Sequence, residues 1–303
     1  MEKSVDRRRA LRTIGGLGLV GGLSTLAGGC MLPAGFVGRN LRVGPGEVRR
    51  LPASLWRFDT LVIAEGGTLE VVGATQTWMV LDVGLLAQID GRIVFRNFTA
   101  DRRTFQATSP SGLQLSHRFA MTNIGGRGGV GARHGPFPGG DAAPGASEHG
   151  GGGGSGAWNT VTDKRPGRPG EGRVGGEPGS SGAGGDGGRR RNDNGGLLAI
   201  HVSKRGRARG SGTIDLRGAD GEAGSQGGRG IPSAVGQRSG GGGGGAPGGE
   251  GGVFWLDASH TPPPNWTYLV DGGAGGPGGG AGGRGSTAGE AGEPGSAGYV
   301  VRL

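Results

Sequence analysis

The side chains able to do chemistry are few and scattered. Cys30 is the single cysteine among 303 residues, so no internal disulfide can form, and a lone thiol at the end of an apolar stretch calls for another role. The densest cationic run is Lys204-Arg205-Gly206-Arg207-Ala208-Arg209. Its Lys204, Arg205, Arg207 and Arg209 form a candidate patch for an anionic ligand such as cell-envelope polysaccharide, the alternative being a solvated loop. His117, His134, His149, His201 and His260 stand at no metal-ligand spacing from a cysteine or carboxylate. No metal, cofactor or catalytic residue is therefore predicted. Asp82, Asp90, Arg92 and Arg96 fall in one strand-rich stretch and could be gathered into an acid–base cluster. No Gly-x-Ser-x-Gly elbow lies on a strand-to-helix junction; Gly154-Ser155-Gly156 and Gly210-Ser211-Gly212 read as linkers.

What positions Cys30 is a leader. Residues 6–12, Asp-Arg-Arg-Arg-Ala-Leu-Arg, are basic, and Ile14 to Ala27 is uncharged and apolar but broken by five glycines. That core is too short for a spanning helix, which needs about 20 apolar residues, and has the order of a signal peptide. Arg8-Arg9-Ala10-Leu11-Arg12 resembles the twin-arginine (Tat) export motif, with Asp6 and Arg7 departing from the usual Ser or Thr. Leu26-Ala27-Gly28-Gly29-Cys30 resembles a lipobox with Leu one place early. These resemblances imply a bacterial lipoprotein that engages the export machinery through Arg8 and Arg9, is cut before Cys30 and is lipidated there. Met31 in place of Asp is compatible with the outer membrane. An ordinary secretory signal that happens to hold a cysteine is the alternative.

Composition divides the rest. Residues 31–120 hold 10 glycines and residues 121–303 hold 62, which sets an expected boundary near residue 120. Of 33 basic residues, 30 are arginine; losing residues 1–29 removes five cations and two anions from the formal +9 and leaves +6. This charge favours anionic partners, and equally simple solubility.

Within 30–120 short β-branched runs alternate with turns: Thr60–Ile63, Thr68–Val72, Trp78–Val83, Leu85–Ile89 and Arg92–Arg96, with Asp90-Gly91 a tight-turn dipeptide. No 3.6-residue periodicity extends over a helix length after the signal peptide. The phrase Leu61-Val62-Ile63-Ala64-Glu65-Gly66-Gly67-Thr68-Leu69-Glu70-Val71 resembles the rungs of parallel β-helix proteins, which implies an all-β, solenoid-like base; a sandwich or a meander also fits the spacing.

In 121–303 glycine recurs in threes: Gly176 to Gly188, Gly218 to Gly230, Gly273 to Gly285 and, after a slip, Gly289 to Gly298. A period of three belongs to extended helices with three residues per turn. The tracts are too short and proline-poor for collagen. They resemble the glycine-rich tip domains of phage tail-fibre adhesins and the glycine-rich region of anaplastic lymphoma kinase receptors, which implies a polyglycine-II bundle. Disorder is the alternative, because each glycine costs about 0.5–1 kcal/mol more than alanine to order. Apolar runs interrupt the tracts, among them Leu197–Val202, Val253–Leu256 and Tyr299–Val301, and favour order. Residues 150–175, with Pro166 and Pro169, read as a mobile loop. Gly125–Gly129 and Arg189–Arg191 resemble RNA-binding arginine–glycine segments, but export makes nucleic acid an unexpected partner. The expected function is an extracytoplasmic, membrane-tethered lipoprotein with a structural or adhesive role at the cell surface. The rivals are a β-helix enzyme acting on envelope or extracellular polysaccharide and a disordered glycine-rich spacer.

Overall fold

The computed structural model describes residues 40–72, 78–96, 104–108, 114–118, 124–133, 136–146, 149–159, 164–165, 168–177, 182–189, 194–229, 239–259 and 262–303. Arg8, Arg9 and Cys30 lie outside them, as do His134, His260 and Arg190–Arg191.

The described chain is all-β, and its two large sheets are built by alternation. β1 (Asn40–Val43) enters the first sheet and β2 (Val48–Pro52) the second; β3 (Leu55–Ile63) and β4 (Thr68–Val72) repeat the step, and so do β5 (Trp78–Ile89) and β6 (Arg92–Arg96). Two hairpins follow outside these sheets, β7 (Thr104–Thr108) with β8 (Gln114–Arg118) and β9 (Trp158–Asn159) with β10 (Lys164–Arg165). β11 (Leu197–Val202) and β12 (Arg207–Arg209) then rejoin the first sheet and β13 (Thr213–Asp215) the second. β14 (Val253–Asp257), β15 (Thr267–Leu269) and β16 (Tyr299–Arg302) complete the series. Every pairing within the two large sheets is parallel.

Parallel stacking puts like on like. Trp56, Leu81, Ile200 and Leu256 share one inward row of the first sheet, and Leu69, Ile93, Ile214 and Tyr268 one row of the second. Both rows belong to one apolar core between the sheets. Burial is the driving term, at roughly 25 cal/mol per Å² of apolar surface. Corners between the sheets are glycine-bearing. Gly66 holds φ +74° and Gly210 φ +115°, values open to glycine at little steric cost. Asp90-Gly91 turns the chain without closing a hairpin, because β5 and β6 lie in different sheets. Gly84 does not end a strand either: β5 runs through it for 12 residues.

The composition step at residue 120 is not an edge of these sheets, since β11 to β16 extend both of them. The glycine tracts between those strands are joined by backbone hydrogen bonds with a period of three. Residues 240–252 form the centre. Gly240, Gly243, Ala246, Gly249 and Gly252 donate to Gly228, Ser225, Glu222, Ala219 and Leu216. Gly241 and Gly244 donate to Gly154 and Gly151, while Gly242, Gly245, Gly248 and Gly251 donate to Thr287, Glu290, Glu293 and Ser296. The carbonyls of the same tract accept from three further tracts, through Gly273, Gly276, Gly279 and Gly282, through Gly185 and Gly188, and through Gly126 and Gly129. Successive amides along the tract are thus satisfied by three different neighbouring tracts.

Close approach requires glycine: a Cβ on Gly245 would lie 1.8 Å from the Gly276 carbonyl oxygen. Side chains add to the backbone bonds between residues 124–130 and 287–293. Thr287 Oγ1, Glu290 and Glu293 carboxylates accept from the amides of Val130, Arg127 and Ile124, again at steps of three. Residues 150–157, which the sequence suggests are part of a mobile loop, are buried up to Ala157 and belong to this network.

Candidate functional site

The cationic run occupies the edge where β11 turns into β12. After Val202 the chain makes a tight turn, with the Gly206 amide donating to Ser203 O at 2.8 Å. β12 then pairs with β5, Ala208 opposite Ala87. Strand alternation buries Ala208 and sends Arg207 and Arg209 outward. Facing them is Pro262-Pro263-Pro264-Asn265, and the two walls enclose an open groove of about 770 Å³ with Lys204 and Arg205 at its lip. Three consecutive prolines have restricted φ and no amide to donate, so this wall is stiff and its proline part offers only carbonyls and ring faces.

The walls are tied together. Trp266, buried just after the proline wall, donates its Nε1–H to Arg209 O at 3.2 Å, and the Thr267 amide donates to Gly212 O at 2.9 Å. Arg209 is also set from below. Its Nε and Nη2 donate to Gln88 Oε1 at 3.2 and 2.9 Å, and Gln88 Nε2 donates to Asp90 Oδ2 at 2.7 Å. Asp90 Oδ1 accepts from the Ser211 amide. Asp90, an acid–base candidate on its sequence position, instead fixes the residue that holds Arg209. Among the described residues no carboxylate pairs with Lys204, Arg205, Arg207 or Arg209. Four like charges gathered without a counter-ion among the described residues create a positive field that attracts anions.

The other sequence candidates are not assembled. Asp82 points outward from the first sheet and pairs with Arg57 at 3.3 Å. Arg92 is on the second sheet and pairs, with Arg217, to the fully buried Asp215. The hydrogen bond from Arg217 to Asp215 raises the Arg217 pKa above its usual value. Arg96 stands on β6 opposite Val72. Sequence reading misses a second constellation: Arg57, Asp82, His201 and Asp257 lie in register across β3, β5, β11 and β14. His201 Nδ1 is 2.8 Å from Asp257 Oδ2. No local signal marks this pair, since 56 residues separate its members. His149 Nδ1 lies 2.9 Å from the Gly150 carbonyl oxygen, and His117 sits in β8. Among the described residues no group of histidines, cysteines and carboxylates is arranged to hold a metal, and no helix is long and apolar enough to cross a membrane.

Comparison with family models, with curated proteins and with solved structures yields no match in any of the three.

Proposed function

We propose that the protein is an exported lipoprotein, lipidated at Cys30 and tethered to the outer membrane, that serves as an adhesive scaffold of the cell envelope. In this reading the two sheets are successive coils of a solenoid, the glycine tracts form a polyglycine-II bundle rooted in it, and the groove beside β12 binds anionic envelope polysaccharide. One observation carries the binding role: four cations without carboxylate partners among the described residues line a single groove, its walls tied by Trp266 and its Arg209 held by Gln88. The charge pattern suits a polymer with repeated carboxylates or phosphates, since guanidinium groups bond such oxyanions in pairs. Titration of the purified chain with alginate tests it. Arg207→Gln/Arg209→Gln should weaken binding by about tenfold or more and flatten its salt dependence; unchanged affinity and salt dependence would remove the groove from the account. For the tether, Cys30→Ala should abolish both acyl labelling and membrane recovery.

The in-register row of Arg57, Asp82, His201 and Asp257 supports a second reading, an enzyme acting on polysaccharide with His201 as base. Depolymerisation of an envelope polysaccharide that disappears in His201→Ala would establish it over the scaffold reading.

A further inference from the structure

Next to the cationic groove lies a second depression of a different nature. It has a volume of about 280 Å³ and is lined by Leu256, Ala258, Ser259, Pro263, Arg302 and Leu303. Leu256 and Ala258 are buried members of the core and form its floor, whereas Leu303 is 43% exposed at its rim. The Arg302 guanidinium is turned onto the Tyr268 ring, 5.3 Å from its centroid, so its charge is engaged by an aromatic face. Pro263 belongs to both depressions. One proline thus separates a groove whose cations have no carboxylate partner among the described residues from a mainly apolar notch.

We infer that the two depressions form one site for an anionic amphiphile, a phosphate-bearing head in the groove and an alkyl or acyl chain in the notch. The inference rests on the groove being the anion site, and adds that the preferred anion carries a lipid chain. Charge complementarity assigns the head: Arg207 and Arg209 project from one strand face, and paired guanidinium groups suit phosphate oxygens. The notch assigns the tail. Leu256, Ala258, Pro263 and Leu303 make most of its lining, with the Ser259 hydroxyl beside them and the Arg302 guanidinium turned to Tyr268; such a surface gains from every methylene it covers and offers a sugar few partners for its hydroxyls. The proline wall gives the ligand a fixed bend around Pro263. A membrane-tethered protein would meet such a ligand as an acylated, phosphorylated envelope lipid.

Calorimetric titration with three probes, each below its micellar concentration, separates the contributions: inorganic phosphate, decyl phosphate and decyl maltoside. Decyl phosphate should bind at least about tenfold more tightly than phosphate, the gain from covering roughly two methylenes. Ser259→Trp, which fills the notch from an exposed position, should erase that gain and leave phosphate binding intact. Leu303→Ser should reduce the gain without a change in fold. Arg207→Gln/Arg209→Gln should weaken both phosphates. Equal affinity for phosphate and decyl phosphate overturns the amphiphile site while leaving the groove in place, and so does decyl maltoside binding as tightly as decyl phosphate. If neither phosphate binds and the arginine substitutions change nothing, the groove itself fails as an anion site, and the inference falls with it.

Discussion

The two-sheet region and the glycine bundle solve the same problem with opposite materials. Between the sheets, order comes from side chains: Trp56, Phe95, Phe254 and a set of leucines and isoleucines are fully buried. In the bundle there are almost no side chains to bury, and order comes from backbone amides and carbonyls satisfied on all sides of residues 240–252. A net backbone hydrogen bond contributes only about 0.5–1.5 kcal/mol, and ordering a glycine costs more than ordering any other residue. The bundle therefore holds only if nearly every bond is made, and it is joined to a core that anchors one end of several tracts. The strands β11, β14 and β16 that begin after tracts supply this anchorage. The lesson is that glycine content alone does not decide between order and disorder; the phase of the glycines and the apolar strands between them do.

Substitutions in the two regions should differ in cost. Trp56→Ala removes a fully buried ring and its hydrogen bond to Pro52 O. It should cost about 3–5 kcal/mol, read from denaturant unfolding. Gly245→Ala places a methyl against the Gly276 carbonyl and should cost about 3 kcal/mol, the upper range of overpacking. Ile93→Leu, a rearranged methyl in the apolar core, should cost under about 1.5 kcal/mol; if Gly245→Ala proves as mild, the bundle is not packed as described. Glu293→Ala leaves the Ile124 amide without its carboxylate acceptor, and hydrogen exchange there should quicken while global stability falls by about 1 kcal/mol. Gly280→Ala meets nothing closer than Gln226 Cγ at 3.8 Å and should be neutral or slightly stabilising, by up to about 1 kcal/mol.

A smaller test concerns a corner of the apolar region. Burial opposes ionisation of Glu47, but hydrogen bonds from the Gly44 amide and Arg49, with the charge of Arg49, outweigh it and lower its pKa. A depressed carboxylate pKa stabilises the fold above the usual carboxylate range and loses that contribution as pH falls through it. Glu47→Gln should accordingly be less stable than the parent at neutral pH, and the difference should shrink on acidification, as thermal melts across the acid range would show.

Much of the fold is legible in the sequence. Thr68–Val72 and Arg92–Arg96 are strands as their β-branched content predicts, and the three-residue phase of the tracts is the phase of their hydrogen bonds. Gly84 misleads because glycine reads as a stop, whereas here it lies beside Asp59 within a continuous strand. The cationic run is visible as charge, but its partner wall, Pro262 to Asn265, is not, since only the return of the chain through β13 and β15 brings the two together. Asp90 stands out for its acidity; its service to Gln88 and Arg209 depends on a register 121 residues apart in sequence. Parallel stacking across long insertions hides such neighbours from any local pattern.

The glycine bundle is a hydrogen-bonded structure continuous with the apolar sheets. Amide hydrogen exchange of the intact chain tests it most directly, comparing Gly242, Gly245 and Gly248 with Leu81 and Ile200. The three glycines should be protected about as well as the two core positions and lose that protection together with them on unfolding. Exchange of the glycines at free-peptide rates while Leu81 and Ile200 remain protected would contradict it.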